Sequence, residues 1–332
     1  MKAMLSKASG GPDTLILEDM SAPEPKAGEV RIRVRACGVN YPDALIIEDK
    51  YQFKPERPFA PGGEVAGEID AVGEGVTDVA VGDRVMALVS WGGMAEQVTT
   101  PAVQCVPMPD TMPFHEAAAL IFTYGTSYHA LKQRANIQAG DTLLVLGAAG
   151  GVGLSTVELG RAMGARVIAA VSSEEKLALA KERGADDGII YGRGPFDKDG
   201  RKALAGAFKE AVGPNGADVI YDAVGGDYAE AALRAIAWKG RFLVVGFPAG
   251  IPSIPLNLAL LKGCEIVGVF WGSFTKRETE ENLQNNRELI EMYVQGKVKP
   301  HVSKQYPLAE AGKAITELAE RRAMGKVVVT VD

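Results

Sequence analysis

Within this 332-residue chain the segment that most restricts the fold is Thr142 to Ser173, TLLVLGAAGGVGLSTVELGRAMGARVIAAVSS. An apolar run, a glycine turn, an amphipathic helical stretch and a second apolar run make a strand–turn–helix–strand unit. In AAGGVG, Ala148 to Gly153, the glycines Gly150 and Gly151 let the backbone approach a pyrophosphate, and Gly153 lets the helix pack close on the strand. The start of the helix, from Ala149 through Val152, presents free N–H groups to that anion. Ala148 stands where the dinucleotide fingerprint has its first glycine, so the motif reads AxGxxG. Its position between an apolar strand and an amphipathic helix makes it a dinucleotide site.

The second strand ends in AAVSS, where NAD-selective proteins place an Asp or Glu against the adenosine ribose. Ser172 lies 19 residues after Gly153 (172 − 153), near the offset expected of that acid. A carboxylate there repels a 2′-phosphate. Two hydroxyls, Ser172 and Ser173, with Lys176 one turn into the next helix, favour it instead, and the expected cofactor is NADPH.

Up to about residue 110, short strands such as EVRIRVRACGV and GEVAGEIDAVG alternate with Gly, Pro and Asp punctuation, which predicts a compact β-rich domain. From Pro113 to Ala135 the pattern turns helical, as one long or two broken helices, and the domain boundary falls near residue 121. Beyond it, apolar strands and amphipathic helices alternate, which implies a parallel sheet covered on both faces. A helix, KRETEENLQNNRELIEMYVQG, then leads to GKVVVTVD, a strand outside the repeat that returns to the first domain. The expected fold is α/β, with a β-rich domain up to about residue 121, to which the last strand returns, and a doubly wound parallel-sheet domain after it. The strand in CEIVGVFW is expected at an exposed apolar edge, which invites pairing with a second copy and predicts a homodimer.

A formal net charge of −6 without a basic run argues against nucleic-acid and membrane-surface partners, leaving small-molecule chemistry. The first residues lack a leader pattern and no segment has roughly 18 uncharged apolar residues in a row, so a cytoplasmic location is expected. Three separated cysteines, Cys37, Cys105 and Cys264, form no CxxC pair and read as buried thiols.

These motifs, with RACGVNYPDALIIEDKY, PGGEVAGEIDAVGEGV, GDRV, TYGTSYHAL, DVIYDAVGG and FWGSF in order along the chain, resemble the zinc-independent quinone oxidoreductase branch, ζ-crystallin-like, of the medium-chain dehydrogenase/reductase superfamily. The resemblance covers essentially the whole chain. It implies a GroES-like catalytic domain over 1–121 and 276–332 and a Rossmann NADPH-binding domain over 122–275. It places Lys176 and Tyr191 on the 2′-phosphate, Arg322 over the adenosine end, Thr126 near the nicotinamide or the phosphates, and the backbone of Phe247 and Phe270 at the carboxamide.

In zinc-dependent members a cysteine, a histidine and a third ligand stand where this chain has Asn40, Gly63 and the Phe122–Thr123 region. Zinc requires converging thiolate, imidazole or carboxylate groups, and His115, His129 and His301 have no ligand spacing, so no metal is expected. Hydride then goes to an acceptor that is already electron-poor, a quinone or a conjugated carbonyl, with donors in an apolar cleft stabilising the oxygen. Asn40 is the candidate donor, or else a cap before Pro42. Tyr51 matches the proton donor of enoyl thioester reductases, or else is a rim aromatic. Tyr124 and Trp271 are candidate pocket residues, and Asp43 and Glu64 are read as braces. Leu45 replaces a second tyrosine common in quinone reductases, which keeps open small enones and short 2-enoyl thioesters such as acryloyl-CoA. A crystallin-like NADPH-binding protein without significant catalysis is the remaining alternative.

Overall fold

A computed structural model describes residues 1 to 332, and the chain separates into two compact units, Met1–Phe122 with Lys299–Asp332, and Thr123–Val298. In the first unit the strand Glu29–Val39 sits at the centre. Val30, Ile32 and Val34 point inward and are buried, while Arg31 and Arg35 alternate outward and pair across the ladder with Asp70 and Glu68. The sheet runs Val302–Pro307, Lys326–Thr330, Glu29–Val39, Glu64–Val72, Arg84–Leu88, Cys105–Pro107, with Gln97–Pro101 also on Glu29–Val39. Only the first of these pairings is parallel. The last strand of the chain therefore returns to this sheet as expected, with Val327 opposite Val39.

The return itself lies at Lys299 and not near residue 276. The helix Thr279–Val294 belongs to the second unit because its buried face, Asn285 and Leu289 included, is held there. Asn285 bonds Lys132 and Gln133, and Glu288 accepts from the Tyr128 hydroxyl at 2.6 Å.

The second unit is a six-stranded parallel sheet in the order Asp187–Ile190, Arg166–Val171, Thr142–Leu146, Ala217–Asp222, Ile236–Val244, Glu265–Gly268. Leu143 to Leu146 are completely buried, as a central strand covered on both faces requires. The order reverses between Thr142–Leu146 and Ala217–Asp222, and in such sheets ligands bind beyond the carboxyl ends of the strands at that point. The strand Ile236–Val244 opens just after the helix Asp227–Leu233, where Ile236 pairs with Ala217. Glu265–Gly268 is the edge strand, paired only with Ile236–Val244.

Candidate coenzyme and active sites

The glycine turn joins Thr142–Leu146 to the helix Gly151–Ala162. Its left-handed residue is Gly147, at φ +68°, one position before Ala148, which is why an alanine is tolerated there. A side-chain carbon at Gly153 would lie 2.1 Å from the Gly147 carbonyl oxygen, so the helix approaches the strand only because that residue is glycine. Gly150 caps the helix and Gly151 begins it, while Ala149 is buried beside them. The Val152 carbonyl accepts from the hydroxyls of Ser127, Ser155 and Thr156. This buried hydroxyl cluster ties the turn to the helix Ile121–His129, on which Thr126 is also buried.

At the end of Arg166–Val171, Ser173 caps the next helix through the Lys176 N–H at 3.3 Å, and Lys176 Nζ donates to Ser172 Oγ at 3.3 Å. Ser172, Ser173 and Lys176 thus come together without a carboxylate at the strand end. Tyr191 joins them through the ladder, since its N–H donates to the Val171 carbonyl at 2.8 Å. Its ring packs on Tyr228, with centroids 4.8 Å apart. Phe247 and Phe270, both exposed, follow the carboxyl ends of Ile236–Val244 and Glu265–Gly268.

Both candidate pocket residues are buried. The Tyr124 ring is buried and its hydroxyl donates to Glu158 at 2.7 Å, where Glu158 also meets Arg183 at 3.1 Å, so Tyr124 anchors a helix. Trp271 is buried over Gly125, where an added Cβ would come within 2.5 Å of its ring, so its indole fills a space that only glycine leaves.

In the first unit, Asn40, Asp43, Glu64 and Lys326 make one buried cluster. Lys326 Nζ donates to Asn40 Oδ1 at 2.7 Å, Glu64 Oε2 at 3.0 Å and the Val39 carbonyl at 3.1 Å. Asn40 Nδ2 donates to Glu64 Oε2 at 3.0 Å and the Gly38 carbonyl at 3.2 Å, while Glu64 Oε1 accepts from the Phe122 N–H at 2.8 Å. Both amide hydrogens of Asn40 are therefore engaged, and Asn40 is a fixed member of the cluster rather than a free donor. Asp43 accepts from the N–H groups of Asn40 and Gly62, as a brace does, and burial raises its pKa to about 6. Tyr51 is half-buried, edge-on to Phe53 at 5.8 Å, and its hydroxyl pKa is raised by burial and then by the Asp43 charge. Arg322 is exposed and bound by Glu320 at 2.5 Å and Glu317 at 3.4 Å, so its guanidinium is already paired.

Sequence reasoning missed Lys326. The available signal was a lysine opening the otherwise apolar strand KVVVT, while the register that sets it beside Asn40 is tertiary. Zinc does not suit this donor set, because Asn40 and Gly63 offer no thiolate or imidazole and the Lys326 ammonium already lies against Asn40 and the one nearby carboxylate, Glu64. No group of three His, Cys, Asp or Glu side chains in the chain could hold a metal ion.

Residues 26–110 match the alcohol dehydrogenase GroES-like domain and residues 151–287 the zinc-binding dehydrogenase family. A quinone oxidoreductase-like protein 2 homolog of Nematostella vectensis is 39% identical over 99% of this chain and 88% of its own length. The quinone oxidoreductase of Rattus norvegicus is 34% identical over 99% and 97%. Among solved structures, a mycobacterial protein complexed with NADPH has a TM-score of 0.91 at 33% identity, covering 99% of both chains. The quinone oxidoreductase of Thermus thermophilus, also solved with NADPH, has a TM-score of 0.83 at 32% identity over 99% and 100%. With both of its units matched and such identity along nearly its whole length, the chain belongs to the medium-chain dehydrogenase/reductase superfamily, among its quinone oxidoreductase-like members.

Proposed function

We propose that this chain is an NADPH-dependent reductase of quinones or other electron-poor conjugated carbonyls. The observation that carries the coenzyme choice is the acid-free grouping of Ser172, Ser173 and Lys176 at the strand end, with NADPH present in two related structures. The glycine turn and helix Gly151–Ala162 hold the pyrophosphate. NADPH, when bound, supplies the hydride.

The first unit supports the choice of acceptor class. Its central cation is an ammonium whose three hydrogens are all spent on Asn40, Glu64 and Val39, so it does not polarise a substrate carbonyl. An acceptor activated by its own conjugation needs no such help. Reduction places negative charge on its oxygen, and Tyr51, a half-buried phenol that follows the helix Tyr41–Ile47, is the proposed proton source. The Lys326 cluster holds Asn40 and the helix Tyr41–Ile47 that leads to Tyr51. A copy of the chain pairs through the Glu265–Gly268 edge to give a homodimer. The protein works in the cytoplasm; none of its helices is long and apolar enough to cross a membrane.

The test is a panel of initial rates of NADPH oxidation with a quinone, a small enone and acryloyl-CoA, repeated with NADH and with Lys176→Ala. The expected result is the highest kcat/KM with a quinone, a preference for NADPH, and a loss of that preference in Lys176→Ala. A kcat/KM about 100-fold higher with acryloyl-CoA, a difference of ~2.7 kcal/mol, assigns the chain to thioester reduction. Tight NADPH binding without oxidation of any acceptor leaves a binding protein.

A further inference from the structure

Beside Lys176 the fold holds a second cation that no motif pointed to. Tyr191 continues the pairing of Asp187–Ile190 with Arg166–Val171 one residue past Ile190 and Val171, which brings it level with Ser172. Arg193 is two residues further on, in a loop that is clamped. The Tyr228 hydroxyl accepts from the Gly194 N–H at 3.0 Å and donates to the Gly192 carbonyl at 3.1 Å, gripping the backbone on both sides of Arg193. The Tyr228 ring lies between Tyr191 and Phe196, and the Phe196 N–H donates to Asp227 at 3.0 Å.

Both cations lack an acidic partner. Arg193 is exposed and enters no ion pair, and Lys176 bonds only the Ser172 hydroxyl. Asp227, the acid that holds the loop, is taken by Arg201 at 3.1 Å. Arg193 is near enough for its charge to lower the Lys176 pKa, second only to burial and ahead of the opposing effect of Glu175. Two like charges on held backbone, neither in an ion pair, offer a multivalent anion charge-assisted contacts from both sides. A guanidinium suits a phosphate in particular, since it binds two oxygens at once. Arg322, the cation expected over the adenosine end, is occupied by Glu317 and Glu320.

We propose that Arg193, on the loop gripped by Tyr228, is the partner of Lys176 in binding a ribose 2′-phosphate and thereby sets the coenzyme preference of this chain. The proposal rests on the NADPH reading above. It is tested by fluorescence titration of the full chain with NADPH and NADH, for the native protein and for Arg193→Ala, Arg193→Lys, Lys176→Ala and Tyr228→Phe. Arg193→Ala is expected to raise the NADPH Kd about tenfold, ~1.4 kcal/mol, and to leave the NADH Kd within about twofold. Arg193→Lys keeps the charge but not the two-pronged contact and restores part of the affinity. Tyr228→Phe, which loosens the clamp without removing a charge, reproduces a smaller NADPH-selective loss. A selective loss in Lys176→Ala with none in Arg193→Ala overturns this proposal alone, as does an equal loss of both coenzymes in Arg193→Ala. A native protein that binds NADH as tightly as NADPH overturns the coenzyme reading and this proposal with it.

Discussion

Replacing Lys326 by methionine removes a buried ammonium and keeps most of the side chain's volume. Lys326 is 4% exposed and Glu64 is not exposed at all, so the variant leaves a carboxylate in the core with only the Phe122 N–H and the Asn40 amide as donors. The cost is bounded, because an unpaired buried carboxylate takes up a proton instead of staying charged. From an unfolded pKa near ~4.3, protonating it at pH 7 costs at most about 1.36 × 2.7, or ~3.7 kcal/mol, and at pH 5 about 1 kcal/mol. The Val39 and Asn40 oxygens that lose their donor add about 1 kcal/mol at any pH. The expected deficit is thus about 4 to 5 kcal/mol at pH 7 and about 2 kcal/mol at pH 5, in line with ~3–5 kcal/mol for breaking a buried pair.

The sign is distinctive. In Lys326→Met the folded pKa of Glu64 is raised above its unfolded value, so the native state binds the extra proton and stability falls as pH rises through that window. Urea unfolding followed by tryptophan fluorescence and circular dichroism, at both pH values, measures it through shifts in the midpoint, read separately for each unfolding phase. Adding Glu64→Gln removes the lone charge. The glutamine oxygen keeps the Phe122 N–H, while its amide nitrogen stands where Oε2 accepted from Asn40 Nδ2 and is satisfied only when the Asn40 amide turns over to present Oδ1, so the double variant is expected to recover part of the loss. A deficit below about 1 kcal/mol at pH 7, a deficit that does not change with pH, or a double variant worse than the single refutes the reasoning.

Gly153→Ala forces a carbon against the Gly147 carbonyl, and the NADPH Kd should rise more than about tenfold, whereas Gly150→Ala meets that oxygen only at 3.4 Å and should fold normally; native-like binding by Gly153→Ala contradicts the close approach. Tyr51→Phe is expected to lower kcat/KM with the best acceptor about 100-fold at an unchanged NADPH Kd, and unaltered turnover in stopped-flow assays removes Tyr51 from the chemistry. Ile266→Lys puts a charge on the edge strand Glu265–Gly268, where Ile266 is exposed, and should convert dimers to monomers in light scattering. A native chain that is already monomeric at micromolar concentration ends that idea.

The βαβ unit, the parallel sheet and the return of the last strand were legible because periodicity and glycine spacing are local: Thr142–Leu146, Gly151–Ala162 and Arg166–Val171 each carry their own pattern. The grouping of Ser172, Ser173 and Lys176 was legible for the same reason, since a helix cap and its first turn lie within four residues. The end of the second unit was not, because Asn285 and Glu288 bond to partners roughly 150 residues away, and no helical period records that.

The amino-acid sequence alone determined the fold class, the dinucleotide turn and the absence of an acid at the ribose position, all of which depend on residues adjacent in the chain or one helical turn apart. Tertiary structure decided which donors remain available. Asn40 loses its amide hydrogens to Glu64, opposite Gly38 on a neighbouring strand, and to Gly38 itself, and Lys326 arrives from the far end of the chain to neutralise that carboxylate. The loop that carries Arg193 is held by Tyr228, a residue 36 positions from Gly192, and by Asp227. A buried polar group must find its partners wherever the fold puts them, and those pairings span separations that sequence spacing does not encode.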